Sequence, residues 1–285
     1  MSGQFREMRF LPVVKAYPAL SATYGEVSCV AGVEMGPAGP EGWVRLYPVS
    51  FRALGDGARF AKYQPITLRV RPPSNDRRPE TWRPDQDSIR VAGDALSTRD
   101  GWRARRPWIE PLMAESMCEL LRRQRLDGTS LGIFRPRAVE DLVIAPVEVA
   151  RAKQQAMAAW AGQTSLMGFG TQERNEQLRA IELMPWRFIY NYRCADRACG
   201  GHRQSITDWE IFQFYRRVRD AADWQQQVRD RFVGTLCGSE RETAFVVGNQ
   251  HQHPGSFLVL SVWWPERRAS PGQMSLTEIA DDHVA

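Results

Sequence analysis

The chain has 285 residues and lacks any long apolar run. No stretch approaches the roughly 20 apolar residues that a transmembrane helix needs, so the sequence predicts a protein without a membrane span. Cysteine is scarce and odd in number, with five residues, which argues against a disulfide-stabilised scaffold. The N-terminal residues show no apolar signal core and no small-residue cleavage site, so we expect a cytoplasmic protein with reduced thiols.

Lysine is nearly absent as well. The 38 basic residues are arginines except for Lys15, Lys62 and Lys153. The Walker phosphate-binding motif and the His-Glu-x-x-His zinc motif are also missing from the sequence. These absences argue against a P-loop nucleotide hydrolase and against a metalloprotease of that type.

The net charge of +5 is concentrated in one part of the chain. Residues 69–106 contain ten arginines and six acidic residues. A codon bias toward arginine explains the arginine-to-lysine ratio, but it does not explain a local excess. A local excess of basic residues is the first requirement of a phosphate-binding surface.

The N-terminal half reads as β-rich. Residues 27–33 and 43–47 are apolar enough for buried strands, and a loop rich in glycine and proline separates them. In residues 66–71, Ile66, Leu68 and Val70 alternate with polar residues, which is typical of a strand with one buried face. With one helix over residues 110–126, we expect residues 1–146 to form a barrel-like or open-sheet unit in an α+β protein.

Arginine and tryptophan meet in and around residues 72–87, which lack periodicity and read as an exposed loop. Arginine contacts phosphates bidentately, and bases stack on indole and guanidinium planes. The candidate phosphate contacts are Arg69, Arg71, Arg77, Arg78, Arg83 and Arg103, and the candidate stacking residues are Trp82 and Trp102. The alternative for the tryptophans is burial in the core.

The last third of the chain predicts a second unit, over residues 147–265. A strand at 186–192 precedes a Cys/His segment at 194–202, a helix at about 207–233 and two strands at 243–249 and 256–264. This is a β–Cys/His knuckle–α–β–β order. We expect residues 266–285 to form a frayed tail.

The most specific pattern is Cys194-x4-Cys199-x2-His202. Zinc takes thiolate and imidazole ligands from closely spaced residues, so the pattern predicts one zinc site. A structural site needs a fourth ligand, for which the candidates are Cys237, His251 and His253. The last two lie in a predicted hairpin tip that can reach the Cys/His segment. The alternatives are two free thiols with a surface histidine, or a redox pair.

Two acidic residues follow the Cys/His segment. Asp208 and Glu210 can act as metal-binding carboxylates of a nuclease. The alternative is a capping box at the start of a helix, with Thr207 as N-cap and Glu210 at the third helical position.

Three functions are compatible with these patterns. The leading one is a metal-stabilised nucleic-acid-binding protein. The second is a nuclease-like, metal-dependent enzyme acting on nucleic acid or nucleotide, with His251, His253 and Asp208 as catalytic residues. The third is an accessory module with a structural zinc, whose tryptophan and arginine side chains bind a protein partner.

Overall fold

A computed structural model describes residues 4–17, 19–21, 25–50, 54–55, 58–149 and 184–267 of the chain. These residues form a strand-rich α+β protein with a five-stranded barrel and a second sheet, which confirms the expected class. Most of the expected frayed tail lies outside the described residues. Within those residues, no helix has the length and apolar character needed to cross a bilayer.

Six strands form the N-terminal sheet: β1 (Arg6–Lys15), β2 (Ala19–Ser21), β3 (Gly25–Met35), β4 (Pro40–Val49), β5 (Ile66–Arg71) and β6 (Thr81–Val91). Five of them close into a barrel in the order β1-β5-β6-β4-β3, because β1 pairs with both β5 and β3. β4 and β6 run parallel, whereas the other neighbours in the ring are antiparallel. This is the connectivity of the OB-fold, a Greek-key barrel.

Alternating apolar residues fill the barrel interior. Ile66, Leu68 and Val70 of β5 are buried, whereas Thr67 and Arg69 between them are exposed, as the sequence predicted. Side chains from the other strands complete this core, among them Met8, Phe10, Val30, Val44, Leu46 and Ile89. The barrel interior is therefore packed with side chains, and only the outside of the barrel is open to contacts.

The second sheet follows two short helices, α1 (Arg99–Trp102) and α2 (Arg106–Ile109). Its elements are β7 (Met113–Ala114), α3 (Met117–Asp127), β8 (Leu131–Phe134), β9 (Pro136–Pro146), β10 (Trp186–Cys194), β11 (His202–Ile206), α4 (Trp209–Val218), α5 (Trp224–Arg229), β12 (Ala244–Gln250) and β13 (His253–Trp263). The strand order is β7-β8-β12-β13-β11-β10-β9. Residues 113–146, which the sequence analysis assigned to the N-terminal unit, therefore pair in the second sheet.

The described residues pack as three layers, with the barrel on one face of the second sheet and helices on the other. Leu11, Val33 and Tyr63 of the barrel share a buried cluster with Val246 and Trp263 of the sheet. On the opposite face, α3, α4 and α5 contribute Leu120, Phe212, Val228 and other apolar side chains to a separate core. The second sheet is thus covered on both faces, which positions its loops relative to the barrel.

The helix expected over residues 207–233 is interrupted. α4 ends at Val218, and a second helix, α5, begins at Trp224. Trp224 packs against Tyr215 and Trp186, with ring centroids 5.1 Å and 5.0 Å away. The chain turns at residues 219–223, so Trp224 packs beside Tyr215 of the preceding helix.

Candidate functional site

Four side chains gather at one end of the second sheet. Cys118, Cys194, Cys199 and His202 each place one ligand atom so that all four atoms lie within 4.8 Å of one another. Cys194 is buried, and the other three are half-buried. This donor set can bind one metal ion.

Each of these four residues lies in a different element. Cys194 ends β10, His202 begins β11, and the two strands pair antiparallel next to the intervening loop. Cys199 lies in that loop, and Gly201 has φ of 103°, a conformation that favours glycine. Cys118 lies in the first turn of α3. The loop is therefore anchored by two paired strands and the helix start.

Hydrogen bonds fix the loop and the helix against each other. Asp196 accepts a bond from the backbone N–H of Ala198 and pairs with Arg122 of α3 at 2.7 Å. At the start of α3, the Ser116 hydroxyl accepts from the N–H of Glu119. This N-cap sets the position of the first helical turn, which carries Cys118.

The distances within the group fit a tetrahedral site. The sulfur atoms of Cys118 and Cys194 are 3.6 Å apart, and Nε2 of His202 lies 3.5 Å and 3.4 Å from them. A tetrahedral zinc with Zn–S bonds of about 2.3 Å separates its sulfur ligands by about 3.8 Å. The observed separations are close to that value, so a metal fits with small movements of the side chains.

The thiols of the group have perturbed pKa values. Burial raises the pKa of Cys194, but hydrogen bonds from the backbone N–H groups of Cys118 and Asp196 and from His202 outweigh burial and lower it to about 6. Burial and the neighbouring Cys194 raise the pKa of Cys118 to about 12. One thiolate is therefore favoured without metal, and a bound cation has to displace the remaining thiol protons.

The sequence predicted three of these four residues together, and the structure brings Cys194, Cys199 and His202 together with Cys118. The proposed fourth ligands lie elsewhere. Cys237 donates its thiol proton to the carbonyl oxygen of Phe232, and neither His251 nor His253 belongs to the group.

The predicted hairpin is present as β12 and β13, but its tip contacts the barrel instead of the Cys/His segment. Arg78, in the loop between β5 and β6, donates to the carbonyl oxygen of Asn249 at 2.8 Å. His251 lies 3.4 Å from Asp76 of the same loop. Burial raises the pKa of Asp76, but hydrogen bonds from Arg78 outweigh it and lower that pKa to about 2. Arg78 thus joins the two sheets.

Asp208 lies in a buried polar cluster between the two sheets. Its carboxylate accepts from the hydroxyl of Ser261 at 2.7 Å and from Nζ of Lys62 at 3.2 Å. Nζ of Lys62 also lies 2.9 Å from Glu210 and 2.8 Å from Ser261. Asp208 itself, and not Thr207, is the N-cap of α4. The catalytic roles of Asp208, His251 and His253 stay a prediction, and the structure does not bring the three together.

Five arginines share the outer face of β1, β5 and β6. Arg9 of β1 is the cross-strand partner of Thr67 of β5, which in turn is the partner of Arg90 of β6. In another row, Arg71 of β5 is directly opposite Arg83 of β6. All are exposed or half-buried. We call this set the arginine surface: Arg9, Arg69, Arg71, Arg83 and Arg90.

Acidic residues only partly balance the arginine surface. Asp85 pairs with Arg69 at 2.5 Å, and Glu7 is opposite Arg69 on β1. With Asp87 of β6 included, three carboxylates face five arginines, an excess of two positive charges. Arg69, Arg71 and Arg83 were predicted from the sequence, whereas Arg9 and Arg90 were not.

The two tryptophans of the predicted stacking pair have different surroundings. Trp102 has only 5% of its surface exposed and packs edge-on against Trp263 in the core between the sheets, so it cannot stack on a base. Trp82 is half-buried, and the guanidinium of Arg6 lies 4.2 Å from its ring centroid. Arg77 and Arg103 are exposed but lie outside the three strands of the arginine surface.

The second sheet covers the barrel face that usually binds ligands in OB-folds. That face is formed by the second and third strands of the barrel, here β3 and β4. Arg45 of β4 is 2% exposed and donates to the hydroxyl and the carbonyl oxygen of Ser130. Val33 and Met35 of β3 lie in the core between the sheets. In this chain, that face is therefore closed off by the second sheet.

Residues 113–280, more than half of the chain, match a protein family described as "Domain of unknown function (DUF8757)". The chain belongs to the DUF8757 family. Residues 6–111 match a second one, "Domain of unknown function (DUF8758)". No curated protein matches the chain. The junction of the two matches coincides with the junction of the barrel and the second sheet, and all four ligands of the Cys/His group lie in the DUF8757 part.

The DUF8757 part also contains the sequence Gly128-Thr-Ser130-Leu-Gly132, which fits the Gly-x-Ser-x-Gly spacing of serine hydrolases. In those enzymes the serine sits between a strand and a helix, whereas here the chain runs from α3 into β8. Ser130 is fully buried, donates to Glu80 at 2.5 Å and accepts from Arg45 at 2.7 Å. Its role is to join the two sheets.

Cys118 is the one member of the Cys/His group that was not predicted from the sequence. Ser116 and Glu119 fit the Ser-x-x-Glu sequence pattern of a capping box, which is a local signal that Cys118 lies in the first turn of a helix. No local spacing relates it to Cys194, because 76 residues separate them. Only the tertiary fold brings them together.

Proposed function

We propose that the chain is a nucleic-acid-binding protein whose DUF8757 part is stabilised by one zinc ion. The observation that carries the proposal is the arginine surface. It places five arginines on one face of the barrel, with Arg71 opposite Arg83 and with Arg9 and Arg90 in one cross-strand row, and the second sheet covers a different face. Nucleic acid is the partner because its regularly spaced phosphates match rows of guanidinium groups.

Zinc is proposed from the chemistry of the donor set. Three thiolates and one imidazole are a ligand combination of structural zinc sites, and hard cations such as Mg²⁺ prefer oxygen ligands. Four protein ligands leave no open coordination position for a substrate or an activated water. The zinc would therefore hold Cys118 of α3 against the loop between β10 and β11, and stability is its expected contribution.

The arginine surface suits phosphate contacts because guanidinium groups bind phosphate oxygens bidentately. The row of Arg9 and Arg90 lies four residues along β5 from the row of Arg71 and Arg83, or about 13 Å at the usual rise of a strand. Two rows of arginines at that separation can contact different phosphates of one nucleic-acid strand. Such contacts provide affinity without base specificity.

A salt titration tests the proposal. We expect a fluorescently labelled single strand of about 20 nucleotides to bind at low salt, with an affinity that falls steeply as salt rises. In a plot of log K against the logarithm of the salt concentration, the double variant Arg9→Ala/Arg90→Ala should have a slope about 1.4 less steep than the wild-type slope. The reason is that each lost phosphate contact removes about 0.7 from the slope.

The matched control is Arg137→Ala/Arg187→Ala, which removes the same charge from exposed strand positions of the second sheet. Its slope should stay within about 0.3 of the wild-type slope. Equal effects of the two double variants, or no binding by the wild-type protein at low salt, would refute nucleic-acid binding by the arginine surface. Co-purification of a protein partner in that case would favour an accessory role.

A further inference from the structure

One row of the arginine surface places like charges opposite each other. Arg71 of β5 and Arg83 of β6 are direct cross-strand partners. Like charges at such positions destabilise a sheet, whereas the next row shows the favourable alternative, with Arg69 opposite Asp85. The Arg71–Arg83 row therefore places two guanidinium groups on neighbouring strands, where one anion can contact both side chains.

An exposed aromatic ring lies beside this pair. Phe5 precedes β1 and has 43% of its surface exposed, which is high for a phenylalanine. The guanidinium carbons of Arg71 and Arg69 lie 5.2 Å and 5.6 Å from its ring centroid. The ring thus lies beside two cations at the edge of the barrel, and part of its surface is exposed.

The two features together match the two parts of a nucleotide. Neighbouring strands are about 4.8 Å apart, so guanidinium groups on β5 and β6 can contact oxygens of one phosphate. An accessible aromatic ring next to a phosphate site is a stacking platform for a base. In the described structure, this combination occurs at Phe5, Arg71 and Arg83.

We infer that Phe5, Arg71 and Arg83 form a nucleotide subsite that selects single-stranded over double-stranded nucleic acid. Arg71 and Arg83 would bind one phosphate, and the adjacent base would stack on Phe5. A base within a duplex has both faces covered by its neighbours, so only an unstacked base can use the ring. This inference rests on the proposed nucleic-acid binding and adds the class of ligand.

The test compares two labelled probes, an oligothymidine of about 15 nucleotides and a DNA duplex of the same length, at one low salt concentration. We expect the wild-type protein to bind the single strand at least about tenfold more tightly. Phe5→Ala should weaken single-strand binding by about tenfold, within the range of one stacked base, and should leave duplex binding unchanged. Phe5→Trp should retain single-strand affinity.

Two further variants define the subsite. Arg71→Ala/Arg83→Ala should weaken single-strand binding more than tenfold. Leu126→Ala is the control for loss of exposed apolar surface, because Leu126 is 86% exposed on α3, and it should bind like the wild-type protein. Circular dichroism on each variant should show the wild-type fold, and Phe5→Trp tests the subsite if Phe5→Ala does not fold.

The outcomes separate this inference from the proposed function. Equal affinity for both probes, or unchanged single-strand affinity in Phe5→Ala, would overturn the subsite. The proposed function would still stand if Arg9→Ala/Arg90→Ala flattened the salt dependence. No binding of either probe would overturn both proposals. Loss of affinity in Leu126→Ala equal to that in Phe5→Ala would also overturn the subsite, because the effect would not be local.

Discussion

Lys62 is one of three lysines in a chain whose other 35 basic residues are arginine, and its surroundings explain the exception. Oxygen atoms of Asp208, Glu210 and Ser261 converge on its Nζ atom within 3.2 Å. A compact ammonium group suits three acceptors around one point, whereas the planar fork of arginine does not. Burial lowers the pKa of Lys62, but the two carboxylates outweigh burial and raise the pKa above its usual value.

The buried Lys62–Asp208 pair provides a stability prediction. Asp208→Asn keeps the shape and an N-cap acceptor but leaves the Lys62 ammonium short of one charge partner, so we expect a loss of about 3 kcal/mol in the free energy of unfolding. The control is Glu210→Gln, because the Glu210 side chain is 48% exposed, and it should cost less than about 1 kcal/mol. Urea unfolding measures the free energy of unfolding of both variants. Equal losses in the two variants would show that the burial of the carboxylate does not determine the loss of stability.

Individual residues show what the sequence could and could not predict. The short spacing of Cys194, Cys199 and His202 identified three of the four residues of the Cys/His group, because a tight loop around an ion has a local signature. Cys118 and Lys62 have no such signature, since their partners are far away in the sequence. The assignment of Trp102 failed for the same reason: the face it covers belongs to the second sheet.

At the scale of elements, barrel closure depends on a close approach of β1 and β3. An added Cβ at Gly32 would lie 2.0 Å from the carbonyl oxygen of Leu11 on the neighbouring strand and 2.7 Å from the Phe10 ring. A backbone oxygen cannot move aside as a flexible side chain can. Glycine at this position therefore lets the two strands close the ring.

Gly32→Ala should accordingly destabilise the protein by about 3 kcal/mol or more, at the upper end of overpacking effects. Gly255→Ala, in β13, is the control, because an added Cβ there meets no heavy atom within 4 Å. It should change stability by less than about 0.5 kcal/mol. Thermal unfolding measures both changes, and a Gly32→Ala protein with wild-type stability would contradict this account of barrel closure.

Elements with a clear hydrophobic periodicity were predictable from the sequence, whereas the elements that they pack against were not. The alternation in residues 66–71 identified β5 and its buried face, and two apolar runs around a polar tip identified the β12–β13 hairpin. Helix length failed at residues 219–223, where aromatic contacts of Trp224 outweigh the continuing amphipathic pattern. The hairpin tip contacts the barrel because the sheets are layered, which no local pattern reveals.

On the scale of the whole molecule, the barrel and the second sheet share one buried core. Apolar side chains from both lie in it, and Arg45, Arg78 and Lys62 add polar links across the junction. This packing covers the usual ligand face of an OB-fold and leaves the arginine surface on β1, β5 and β6. The Cys/His group lies in the other family's part of the chain, so its expected role is to stabilise the second sheet and its helices.

The most direct measurement is the metal content of the purified protein and of two cysteine variants. Structural zinc sites bind with apparent free energies of about 10–16 kcal/mol, so zinc should remain bound through purification. We predict one zinc per chain in the wild-type protein, less than about 0.2 in Cys118→Ser, and one in Cys237→Ser, whose thiol is bonded to Phe232 instead. A folded wild-type protein without metal, or full metal content in Cys118→Ser, would contradict the four-ligand site.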